Sequence, residues 1–219
     1  MSSCCDPRGC DRFFGDRFAR SMARRYRKRG LDKSSRRIVA FLEREGIEGA
    51  TVLEIGGGVG EIQIELLRRG AAHATNLELS GAYDEIAREL LREHGLADRA
   101  DRRLVDIAAA PGAVEPADVV VLHRVVCCYP DYERLLGAAA DHAHRAVVFS
   151  HPPRNLVSRA FVGLQNVFFR AMRREFRTFA HPPHAMLGVL EARGLRVRFR
   201  HRGVPWQIEG LARDGDGPA

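Results

Sequence analysis

Val52-Leu53-Glu54-Ile55-Gly56-Gly57-Gly58-Val59-Gly60 is an apolar run that breaks into glycine, and its reading decides the fold. Thr51 to Ile55 has the aliphatic composition of a buried strand, and Ile62, Leu66 and Leu67 follow at helical spacing. Between them the glycines permit a tight turn and close approach of backbone to a ligand. Strand, glycine turn and helix in succession open a doubly wound α/β sheet. Such a sheet binds ligands at the carboxyl ends of its strands, where helix N-termini present unpaired N–H groups. A dinucleotide fingerprint beginning at Gly56 needs its third glycine at position 61, but that residue is Glu61, whose carboxylate would be repelled by a pyrophosphate.

The alternation continues outward from this segment. A strand is expected around Ala74 to Leu79, a helix through Tyr83, Ile86, Leu90, Leu91 and His94, a short strand at Arg103 to Val105, and an apolar strand at Ala117 to Leu122. A helix carrying Tyr132, Leu135, Leu136, Ala139 and Ala140 then precedes a strand at Ala146 to Phe149. Strands interleaved with helices imply right-handed crossovers and a parallel sheet covered on both faces. Beyond Pro152-Pro153 the pattern changes to an aromatic helix from about Leu156 to Phe176, a helix through Leu190, and two strand-like stretches, Leu195 to His201 and Trp206 to Leu211, that suggest a hairpin. The expected fold is a doubly wound, seven-stranded, mainly parallel sheet with N-terminal helices and a C-terminal β-hairpin. Of the N-terminal helices, the first carries Phe14, Phe18 and Met22 on one face and Arg20, Arg24, Arg27 and Lys28 on another, and ends at Gly30. Ser34 or Ser35 is expected to cap the second, whose stripe is Ile38, Phe41 and Leu42.

Composition narrows the class. A 45% hydrophobic and 29% charged chain of 219 residues matches an ordinary globular protein rather than a disordered or membrane-spanning one. No segment is apolar enough to span a bilayer, and the polar start Met1 to Arg8 has no signal-peptide core, so a cytoplasmic location is expected. Of the 35 basic residues only Lys28 and Lys33 are lysine, and the net charge of +7 favours anionic partners without choosing among them.

The glycine segment matches the Glu-x-Gly-x-Gly-x-Gly pattern of class I S-adenosylmethionine (SAM)-dependent methyltransferases, and the chain resembles that family over roughly Ala50 to Phe149. The resemblance implies a Rossmann-like methyltransferase fold, SAM as cofactor, and an enzyme releasing S-adenosylhomocysteine. It further implies that Gly56, Gly58 and Gly60 wrap the methionine end, with Glu54 organising its ammonium group. Glu78, at the end of the second strand beside Leu79, would hold both ribose hydroxyls, since an ionised carboxylate accepts two hydrogen bonds. Asp106 with Ile107 either meets the adenine or is an ordinary loop acid after a strand. The implied organisation is an N-terminal arm with helices over 1–46, a SAM-binding domain over 47–213 with a helical insertion at about 154–193, and a tail at 214–219.

After the fourth strand comes His123-Arg124-Val125-Val126-Cys127-Cys128-Tyr129-Pro130-Asp131. The Asn/Asp-Pro-Pro-aromatic motif of adenine-amino methyltransferases is absent, which argues against adenine methylation of DNA or RNA and makes a nucleic-acid partner an unfavoured expectation. His123 has three readings: general base, cavity lining, or hydrogen-bonded structure, with lining favoured because methyl transfer needs alignment more than a base. The stretch from Ala117 to Pro130 looks most like magnesium-protoporphyrin O-methyltransferases and related small-molecule enzymes, but Cys128 replaces the histidine of their Ile-His-Tyr-Pro ending.

Cys4, Cys5, Cys10, Cys127 and Cys128 have poor zinc spacing; either they gather around a soft metal or they are reduced thiols without one. Phe161, Leu164, Phe168, Phe169 and Met172 form a stripe that is either a lid over a hydrophobic acceptor or ordinary core. The acceptor expected is a small, hydrophobic or anionic molecule. The alternatives are an RNA methyltransferase using the arginine face and a non-catalytic SAM-binding or metal-sensing protein. Oligomeric state is left open.

Overall fold

A computed structural model describes residues 15–172 and 176–214, apart from the side chain of Val157. Within them the order is α1 (Asp16–Arg29), α2 (Lys33–Arg44), β1 (Thr51–Ile55), α3 (Glu61–Arg68), β2 (His73–Glu78), α4 (Asp84–Glu93), β3 (Ala100–Leu104), β4 (Ala117–Leu122), α5 (Tyr132–Asp141), β5 (Ala143–His151), α6 (Leu156–Ala171), α7 (Pro183–Glu191), β6 (Leu195–His201) and β7 (Gln207–Arg213). The strands make one seven-stranded sheet in the order β3-β2-β1-β4-β5-β7-β6. β1 to β5 pair in parallel, and β7 runs antiparallel between β5 and β6.

The two faces follow strand parity. Val52, Val119, Val121 and Val148 point into one core with Ile38 and Leu42 of α2, Ile62 and Leu66 of α3, and Leu90 of α4. Leu53, Val120, Leu122, Val147 and Phe149 point into the other, against Leu135 and Leu136 of α5 and Leu190 of α7. Strand order reverses between β1 and β4, which opens a crevice at the carboxyl edge there.

Several sequence expectations need correction. Asp32 caps α2, accepting from the N–H groups of Ser34 and Ser35, because its carboxylate reaches both donors at once. Ala19, Ala23 and Tyr26, rather than Phe18 and Met22, are the buried residues of α1; Phe18 is 44% exposed, and Phe14 lies outside the described residues. β3 begins at Ala100, three residues earlier than expected, and its largely exposed sequence carries no apolar signal. α6 ends at Ala171, and Phe176 folds back to pack on Phe169, ring centroids 5.7 Å apart. The core reading of the α6 stripe fails: Phe161, Leu164, Phe168 and Met172 are all at least half exposed, and only Phe169 is buried.

Candidate functional site

β1 ends at Ile55 and the chain turns through Gly56, Gly58 and Gly60, whose φ values of 66°, 59° and 80° lie in the left-handed region that side chains resist. Space is short as well. A Cβ on Gly57 would stand 2.3 Å from Asn76 Nδ2 and 2.5 Å from Glu54 Cδ. This turn, the ends of β2 and β4, and the inner side of α1 enclose a cavity of about 320 Å3. Gly56, Gly57, Gly58, Glu54, Glu78, Leu79, Asp106, Ile107 and His123 all line it. Gly60 is not among the lining residues; it is the N-cap of α3.

Although the chain carries a net charge of +7, four carboxyls, Glu54, Glu61, Glu78 and Asp106, meet at the cavity wall beside Arg25 and Arg124. Burial raises Glu54 to about 8, Glu61 adding to the rise while the Gln63 N–H bond and the charge of Arg102 oppose it. Glu54 Oε2 accepts from Gln63 N at 3.3 Å and from Asn76 Nδ2 at 3.5 Å. Burial raises Glu61 as well, against the opposing charges of Arg25 and Arg124. Its Oε2 is buried with no hydrogen-bond partner among the described residues. Glu78 accepts from the Gly58 N–H and, at 3.2 Å, from the Leu79 N–H, yet burial still leaves its carboxyl above the usual range. Arg102, from β3, ties the turn down by donating to Gly58 O at 3.0 Å and to Asp84 Oδ1 at 3.3 Å.

Asp106 is held from across the cavity. The Tyr129 hydroxyl lies 3.2 and 3.0 Å from its two carboxylate oxygens. At the end of β4, Ser150 Oγ accepts from Arg124 N–H at 2.8 Å and sits 2.8 Å from His123 Nδ1. The other ring nitrogen, Nε2, faces Ser34 Oγ at 3.5 Å. Burial, with Arg124 adding, pulls His123 down to about 3, so the ring is neutral. Arg124 takes a φ of 63°, pairs with Asp32, and lays its guanidinium 5.4 Å from the centre of the Trp206 ring.

Sequence reasoning missed Arg25, Arg124, Tyr83, Tyr129 and the pocket role of Phe18 and Met22, all of which line the cavity. Only the helical spacing of Phe18 and Met22 carried a signal. Cys127 is buried and Cys128 lines the cavity, their sulfurs 3.6 Å apart. Cys4, Cys5 and Cys10 lie outside the described residues, and among the described residues no three metal-ligating side chains gather. No helix of the described residues is long and apolar enough to cross a membrane.

A family model described as a methyltransferase domain matches residues 20–204. No curated protein matches the chain significantly. Among solved structures, magnesium protoporphyrin IX methyltransferase from Synechocystis PCC 6803 with bound SAH is 19% identical, with a TM-score of 0.69 over 83% of each chain. An O-methyltransferase family protein from Burkholderia thailandensis is 19% identical, with a TM-score of 0.67 over 90% of this chain and 60% of that one. An O-methyltransferase family 2 protein from Planctomyces limnophilus in complex with apigenin is 16% identical, with a TM-score of 0.67 over 90% and 61%. At these identities the likeness establishes the fold.

Proposed function

Because the chain belongs to the methyltransferase-domain family, we propose that it transfers a methyl group from SAM to a small, hydrophobic or anionic acceptor and releases S-adenosylhomocysteine. The observation that carries this reading is the acidic wall at the glycine turn. Three buried carboxyls raised above their usual range, one with an oxygen lacking any partner among the described residues, suit a ligand bearing positive charge. When bound, SAM supplies a methyl group on a sulfonium, which leaves as a neutral thioether.

In this reading Glu78 exchanges its backbone partners for the ribose hydroxyls, and Gly56 to Gly58 give the methionine end backbone contact without side-chain obstruction. Glu54 and Glu61 provide the negative charge facing the ammonium group. Asp106, braced by Tyr129, and Ile107 bound the adenine. His123 shapes the cavity rather than taking a proton: burial lowers its pKa to about 3, which makes the ring a weak base, and Nδ1 is engaged by Ser150 Oγ. Alignment and exclusion of water then supply the acceleration. The division at residues 46 and 47, with an insertion at about 154–193, remains our reading of the organisation.

Titration calorimetry with S-adenosylhomocysteine tests the assignment. Glu78→Ala should weaken binding about tenfold or more, since hydrogen bonds to a charged group are worth about 1.5–3 kcal/mol. Unchanged affinity would reject the role of Glu78, and no binding by the unaltered chain would reject the function.

A further inference from the structure

α6 is built inside out. The side that meets the protein carries the half-buried Ser158, Val162, Gln165 and Asn166, with Phe169 as its buried aromatic. Asn166 donates to Thr178 O at 2.8 Å and accepts from Thr178 N at 3.0 Å, while the Thr178 hydroxyl lies 3.0 Å from Gln165 Oε1. These bonds pin the polar side inward. The opposite side presents Leu156, Phe161, Leu164, Val167 and Phe168 to solvent, between 58% and 81% exposed. Arg159 and Arg170, both exposed, run along one flank of that apolar face.

We infer that α6 is a docking helix for an anionic lipid bilayer, lying in the headgroup region with its apolar side toward the acyl chains. At 16 residues it spans about 24 Å and is too short and too polar on its inner side to cross, so it can only lie flat. Charge selects the bilayer over a second copy of the chain. Among the described residues between Pro152 and Leu190 there are four arginines, Arg154, Arg159, Arg170 and Arg177, and no aspartate or glutamate. Two copies meeting face to face would oppose those arginines, whereas anionic headgroups attract them.

The segment that packs against α6 through Thr178 and Phe176 also reaches the cavity wall. The segment following α6 runs along the 3-10 turn Val126–Cys128: Phe179 N donates to Cys127 O at 2.7 Å, and His181 Nε2 donates to Tyr129 O at 2.9 Å. Cys128 and Tyr129 line the cavity. On the methyltransferase reading above, on which this consequence rests, that segment would link a bilayer holding a dissolved acceptor to the cavity wall.

Flotation of the full chain with vesicles tests the inference. Vesicles of equal parts phosphatidylcholine and phosphatidylglycerol should carry the protein up the gradient, and phosphatidylcholine alone should carry roughly tenfold less. The combined variant Phe161→Ser, Leu164→Ser and Phe168→Ser should lose at least about tenfold of the binding to the mixed vesicles, and Arg159→Gln with Arg170→Gln a similar factor. Both variants should keep the S-adenosylhomocysteine affinity of the unaltered chain, since none of these side chains lines the cavity. No flotation with the mixed vesicles, equal flotation on both compositions, or indifference to the serine variant would overturn the inference. So would a dimer in sedimentation that the serine variant dissociates without any vesicle binding by the parent chain. Failed flotation with intact S-adenosylhomocysteine binding would remove the docking surface and leave the proposed function standing.

Discussion

Glu54 owes its chemistry to its surroundings. Lifted from its ordinary 4.5 to about 8 by burial and by Glu61, it is largely protonated at neutral pH in the ligand-free protein. Between those two values the folded chain holds a proton that the unfolded chain has released, so Glu54 makes stability fall as pH rises through that window. Glu54→Gln keeps the shape and removes the titration. Thermal unfolding should show the variant gaining on the parent from about pH 6 to about pH 8, and a constant difference would contradict the buried-acid account. A cation in the cavity favours the ionised form, so SAM binding near neutral pH should release protons. Calorimetry in buffers of different ionisation enthalpy would reveal this as a buffer-dependent heat. Glu54 and Glu78 were legible in the sequence because strand ends and glycine spacing located them. The Tyr129–Asp106 bond and the Arg124–Asp32 pair were not: the latter joins residues 92 apart in the chain, and only the fold brings them together.

At the scale of elements, Asp32 shows how one side chain holds a helix and a loop at once. It caps α2 and pairs with Arg124. Burial pushes its carboxyl up, but hydrogen bonds from Ser34 and Ser35 and the Arg124 charge outweigh that and hold it well below the usual range. Its folded-state pKa being depressed, its stabilisation is present above the ordinary 3.8 and fades as pH falls below that value. Asp32→Ala should cost about 0.5–2 kcal/mol in urea unfolding at neutral pH, with the gap to the parent narrowing in acid. A gap independent of pH would refute this. On the far half of the same helix, Phe41 lies on Gly210 of β7, where an added Cβ would stand 2.7 Å from two ring atoms. Gly210→Ala should therefore destabilise by about 1–3 kcal/mol, and Phe41→Leu in the same chain should return part of the loss. The central strands were readable because burial on both faces leaves unbroken apolar runs, as in Ala117–Leu122. The edge strand β3, Ala100-Asp101-Arg102-Arg103-Leu104, is mostly solvated and has no such run. α6 misled for the opposite reason: an apolar stripe reads alike whether it faces a core or the outside.

Over the whole molecule, charge is unevenly spread. In a chain of net charge +7, Glu54, Glu61, Glu78 and Asp106 meet at the cavity with Arg25 and Arg124 beside them, while Arg159 and Arg170 stand exposed on α6 with no acid on that helix. The side of the cavity formed by the glycine turn was legible in the sequence, whereas the side formed by Arg25, Arg124 and Tyr129 was not, because those residues come from segments far apart in the chain. One further consequence comes from the position of β7, bonded to β5 on one side and β6 on the other. During vectorial synthesis β6 leaves the ribosome before the strand that must separate it from β5. The parallel half of the sheet can assemble on the nascent chain, while β6 has no berth until β7 has emerged and threaded into place.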